Sequence, residues 1–120
     1  ILKGALGVRS RKITDQMTIA ASYALADYAQ ERGIGPDSIV PTMEETPVFP
    51  RVAADVAAQA VREGVARIDS SRDVIYDWAR HDIDQARAMT RNLMDAGFIA
   101  EPPRKLMEQA LSAALREVEG

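Results

Sequence analysis

Several residue types that build common functional sites are scarce in this sequence. The 120 residues contain no cysteine, which excludes disulfides and thiolate metal sites. One histidine is present, and only 5% of the residues are aromatic. The apolar residues are mainly Ala and Val, which bury little area each, so we expect a thin core. The lack of cysteine suits a reducing compartment, and we predict a cytoplasmic protein.

The sequence also lacks long apolar runs and an excess of positive charge. No run approaches the roughly 20 residues that cross a bilayer, and the first residues do not have the pattern of a secretory signal. The net charge is −3 and the pI is about 5.1. Nucleic acids and anionic membranes attract clustered positive charge, so we expect neither as a partner. A glycine-rich phosphate loop, a Walker motif and a nucleophile elbow are absent as well.

Apolar residues recur at three- and four-residue spacing in four segments, which predicts an all-α chain with about four helices. The cap residues Thr14, Gly33, Gly64 and Gly97 and the first-turn proline Pro50 set their limits. The predicted helices span residues 14–33, 50–64, 70–97 and 104–118, and residues 1–8 form one or two helical turns or the tail of another element. The third helix has the longest apolar stripe, at Ile75, Trp78, Ala79, Ile83, Ala86, Met89, Leu93 and Met94.

Prolines predict two interruptions between these helices. Residues 34–50 contain four prolines and no helical period, with Ile39 and Val40 as a possible short extended stretch. Residues 101–103, Glu-Pro-Pro, predict a rigid break before the last helix. A loop as long as 34–50 usually lies against another surface or carries function.

The single histidine, His81, is the first candidate for chemistry. Asp77 and Asp84 flank it at i−4 and i+3, so the three side chains could share one helix face and hold a metal or move a proton. The alternative is an exposed face with ion pairs from Asp73, Arg80 and Arg87 to neighbouring side chains. We favour the exposed face, because the sequence offers no second cluster of ligands.

Two further groups of charged residues are weaker candidates. Arg9, Arg11 and Lys12 precede the N-cap Thr14, where an anion could bind, but we favour a solvated connector because no glycine is available for a phosphate cradle. Glu44 and Glu45 are adjacent carboxylates in the long loop, and we expect them to point apart into solvent.

The remaining distinctive side chains predict packing rather than chemistry. Four of the five methionines lie on apolar stripes, so we interpret the set as packing residues: Met17, Met43, Met89, Met94 and Met107. Trp78 and Tyr76 are predicted to anchor a core or an interface.

The order of several short motifs resembles that of a known family, the malic enzymes. The series begins with Gly4-Ala-Leu-Gly-Val-Arg-Ser-Arg-Lys-Ile-Thr-Asp-Gln-Met17 and continues in residues 19–25, 39–43, 48–51 and 57–66. Residues 94–103 resemble the helical tail of the shorter, NAD-linked branch of the family. Together the motifs cover about residues 1–103. Gly7 departs from the pattern, since many bacterial relatives have an acidic residue there, and a glycine could loosen the first helix by about 1 kcal/mol.

This resemblance implies an enzyme that oxidatively decarboxylates malate to pyruvate and CO₂ with reduction of NAD or NADP, and with Mg²⁺ or Mn²⁺. It implies that the tyrosine–lysine acid–base pair, the acidic metal ligands, the glycine-rich loop and an asparagine pair lie upstream of Ile1. We therefore expect no catalytic, cofactor-binding or metal-binding residue in this chain, and an inactive fragment when it is alone.

The resemblance also implies an organisation and partners. Residues 1–66 would form the C-terminal end of a Rossmann-like α/β NAD-binding domain, and residues 67–120 a C-terminal helical tail. The helix that starts at Thr14 would cover one face of the parallel sheet, while later helices would wrap the cofactor domain or reach a second subunit. The expected partners are the rest of the same chain and a second copy in a homo-oligomer. An autonomous helical interaction module is the alternative.

Overall fold

Helices account for the regular secondary structure of the computed structural model, which describes residues 1–36, 38–100 and 102–119. They are α1 Leu2–Gly7, α2 Asp15–Arg32, α3 Val48–Arg62, α4 Arg72–Asp95 and α5 Arg104–Glu119. These ranges contain no β-strand, only an isolated bridge between Gly35 and Ser38, so the all-α prediction is confirmed. Within the same ranges, no helix has the length and apolarity needed to cross a bilayer.

The cap residues recognised in the sequence set most of the helix ends. The hydroxyl of Thr14 accepts a hydrogen bond from the backbone N–H of Met17 at 3.2 Å, which satisfies one free donor at the start of α2. Gly33 ends α2 with φ of +97°, a conformation that L side chains rarely adopt. At the start of α4, the hydroxyl of Ser71 accepts from the N–H of Val74 at 3.4 Å.

The predicted start of α3 at Pro50 is wrong. The helix begins at Val48, and Pro47 precedes it with helical dihedral angles of φ −62° and ψ −18°. Pro50 then lies within the first turn, where backbone N–H groups have no partner inside the helix. Because proline has no backbone N–H, its presence there removes no helical hydrogen bond. The extended stretch expected at Ile39 and Val40 forms no strand, and both side chains are exposed.

The first compact unit, Ile1–Gln85, holds the core, and α3 lies at its centre. Small side chains on α3 are almost completely buried where α1 and α2 pack against it: Ala53, Ala54, Val56, Ala57 and Ala60. From α2, Met17 is fully buried and is among the largest side chains in this core. The thin core expected from the Ala and Val content is therefore present, and it allows close helix packing.

Two glycines of α1 allow its neighbours to approach closely. A Cβ atom on Gly4 would overlap the carbonyl oxygen of Ala53 and lie 3.0 Å from Cβ of Val56. On Gly7, a Cβ atom would lie 3.0 Å from Cζ3 of Trp78. Gly7 was expected only to loosen the helix, but it also makes room for the indole ring.

Charged groups add to the contact between α1 and α4. The ammonium of Lys3 lies 4.5 Å from the centroid of the Trp78 ring and is ion-paired with Asp82. Trp78 thus anchors α4 against α1, although 42% of the residue is exposed.

The apolar stripe predicted for α4 is only partly buried. Ile75 and Ala79 belong to the core, whereas Met89, Leu93 and Met94 are each more than 40% exposed. The second half of the stripe belongs to the second compact unit, Ala86–Gly120, where the described residues are almost all exposed. Helical periodicity shows that a face is apolar and does not show what covers it.

The second unit contains the end of α4, the connection to α5 and α5 itself. Gly97, with φ of +76°, ends α4, and the N–H groups of Phe98 and Ile99 donate to the carbonyl of Leu93 at 2.9 and 3.2 Å. Of the break predicted at 101–103, Glu101 lies outside the described residues, and α5 begins directly after Pro103. Every α5 residue from 104 to 118 is exposed.

Candidate functional site

The face of α4 that carries His81 is exposed. A carboxylate oxygen of Asp77 accepts a 3.5 Å hydrogen bond from Arg80, so this acid is already paired. Asp84 lies at the edge of a separate cavity with Tyr76 and Arg80. In the part of the chain that the structure describes, no group of three or more His, Cys, Asp or Glu side chains is placed to hold a metal ion. This arrangement is that of an ion-paired surface.

The basic connector between α1 and α2 is held by its backbone. The N–H of Arg11 donates to the carbonyl of Val65 at 3.0 Å, and the carbonyl of Val8 accepts from the N–H groups of Arg67 and Ile68 at 3.0 and 3.1 Å. The guanidinium of Arg11 also donates to the carbonyl of Gly64 at 3.3 Å. Since the loop after α3 occupies these groups, the connector joins two segments of the chain and is not arranged as a phosphate cradle.

The start of α2 has an acidic neighbour as well. Hydrogen bonds from Gln59 and then Thr14, together with the nearby charge of Lys12, lower the pKa of Glu63. Lys12 therefore faces a carboxylate of the chain itself, which agrees with a charge-balanced connector.

Glu44 is exposed to solvent as expected, but Glu45 is not. The carboxylate of Glu45 is partly buried and accepts from the guanidinium of Arg32 at 2.6 Å and from the N–H of Thr42 at 2.8 Å. The hydrogen bond from Thr42 and the charge of Arg32 lower the pKa of Glu45. Arg32 also donates to the carbonyl of Ser38 at 2.9 Å. The end of α2 therefore fixes the long loop, which the spacing of the two glutamates did not indicate.

Replacing Glu45 by Gln is expected to loosen this loop while leaving the helical core intact. The amide group loses the charge attraction to Arg32, so backbone amide exchange at Thr42 should become several-fold faster, as measured by hydrogen–deuterium exchange. Glu44→Gln is the matched control, because that side chain is exposed and has no hydrogen bond among the described contacts. Equal exchange in both variants would contradict the anchoring role.

The same contact gives a pH dependence with a defined sign. Because the pKa of Glu45 is lower in the folded chain than in the unfolded one, its contribution to stability is complete above the ordinary glutamate pKa. It is lost as the pH falls through the lowered pKa. The urea midpoint of Glu45→Gln should therefore fall less on acidification than that of the unchanged chain.

A groove of about 290 Å³ lies between α2 and α3. Ile19 and Tyr23 form its apolar wall, and Asp55 lies on the other side. A carboxylate oxygen of Asp55 accepts from Nε of Arg72 at 2.5 Å, and this bond raises the pKa of Arg72. Asp55 is thus engaged within the unit. The two residues are 17 positions apart, and no sequence pattern predicted the pair.

Large apolar side chains are exposed on every helix except α3. Only Met17 of the five methionines is buried, so the packing role predicted for the others has no counterpart within the described residues. The exposed set on the first two helices and the long loop includes Leu2, Leu6, Ile19, Tyr23, Ile34, Ile39, Val40 and Met43. Exposed apolar area of this extent is typical of surfaces that contact other protein. The described residues therefore form a helical segment with large exposed apolar side chains.

Comparison with known proteins shows that the chain is similar to malic enzymes. The chain is 41% identical over 68 residues to the bifunctional malic/malolactic enzyme of Bacillus subtilis, a match that covers 57% of this chain and 17% of the relative. It is 37% identical over 70 residues to the NAD-dependent malic enzyme of Geobacillus stearothermophilus, covering 58% and 15%. It is 37% identical over 81 residues to the NADP-dependent malic enzyme of Halomonas elongata, covering 56% and 19%. No family model matches the chain.

A solved structure extends the match to nearly the whole chain. The crystal structure of Entamoeba histolytica malic enzyme is 50% identical to it, with a TM-score of 0.91, over 99% of this chain and 25% of the Entamoeba chain. The chain spans a quarter or less of the length of the proteins it matches. It is a homologue of the malic enzymes that matches their C-terminal part, as its motifs predicted.

Proposed function

We propose that this chain is the C-terminal part of a malic enzyme that oxidatively decarboxylates malate to pyruvate and CO₂ and reduces NAD or NADP. The observation that carries the proposal is the structural match to Entamoeba malic enzyme over 99% of the chain at 50% identity. The relatives include both an NAD-dependent and an NADP-dependent enzyme, so the choice between the two cofactors is left to experiment.

The role of the segment within that enzyme is structural. The α1–α3 core is closely packed around small residues, which makes it a rigid support. Its exposed apolar face on α2, with Ile19 and Tyr23, suits contact with the sheet of a nucleotide-binding domain. A second copy would cover further apolar surface in a homo-oligomer.

The Mg²⁺ or Mn²⁺ that the family resemblance implies does not fit the residues described here. The candidates around His81 are exposed and partly paired, and the described residues contain no cluster of three or more ligands suited to a metal. We therefore assign no metal ligand and no chemical step to them, and propose that the reacting groups are supplied by the rest of the enzyme.

An assay of the intact protein encoded by the source reading frame tests the proposal. With malate and Mn²⁺, it should reduce NAD or NADP and release pyruvate, and chelation of the metal should abolish the reaction. The 120-residue chain by itself should give no malate-dependent reduction. An intact protein with correct folding but no reaction with either nucleotide would contradict the proposed function.

A further inference from the structure

We draw no further inference here: the strongest candidate, the exposed apolar stripe of α5 at Met107, Leu111, Leu115 and Val118, carries none because nothing in the residues that the structure describes shows what covers it.

Discussion

Gly4→Ala is expected to destabilise the chain by about 2–3 kcal/mol, although alanine favours helix by about 1 kcal/mol over glycine. The added methyl group would overlap the carbonyl oxygen of Ala53 and press on Val56. Neither neighbour can move aside easily, because both belong to the buried face of α3. Helix α1 must therefore shift away from α3. The measurement is the urea midpoint of unfolding, followed by circular dichroism.

Gly35→Ala is the matched control for this substitution. A Cβ atom at Gly35 would meet nothing within 4 Å, and its φ lies outside the left-handed range. The control should leave the midpoint unchanged or raise it slightly, since alanine restricts the unfolded chain. Equal midpoints for the two variants would contradict the close contact between α1 and α3.

Met17→Ala is expected to cost about 3 kcal/mol, the second large effect. Met17 is fully buried between α2 and α3, and its truncation removes buried apolar area and leaves a cavity. Met43→Ala changes the same residue type at a position that is 81% exposed, so its effect should stay within about 0.5 kcal/mol. A similar loss in both variants, measured by urea unfolding, would mean that Met17 is not part of the core.

Local signals made most of the helices predictable. Thr14 and Gly33 mark the ends of α2 because an N-cap hydroxyl and a left-handed glycine are properties of short segments. The start of α3 was missed because Pro47 and Pro50 both suit the beginning of a helix, and the sequence does not distinguish them.

Contacts between distant segments were not predictable in the same way. The approach of Gly4 to Ala53 and the pairing of Asp55 with Arg72 depend on how the helices are arranged in space. The prediction that Glu45 faces solvent was wrong for the same reason. Its partner, Arg32, lies at the end of α2 and is brought to it only by the path of the loop. The periodicity of α4 and α5 correctly indicated apolar faces, yet it held no information on their partners.

The family was predicted from the order of the motifs, beginning at Gly4, and the structural match to Entamoeba malic enzyme agrees with it. Composition and spacing by themselves led only to a helical domain. They offered His81 and the basic connector as weak candidates, and the structure shows the first exposed and the second held by the loop after α3.

The most direct test of the central claim is malate-dependent reduction of NAD or NADP by the intact protein carrying Gly4→Ala or Gly35→Ala. If this chain is the structural C-terminal part of a malic enzyme, the Gly35 variant should retain the activity of the unchanged protein. The Gly4 variant should lose most of it, because α1 no longer lies correctly on α3. Full activity in the Gly4 variant, or no malate oxidation by the unchanged protein, would contradict the account.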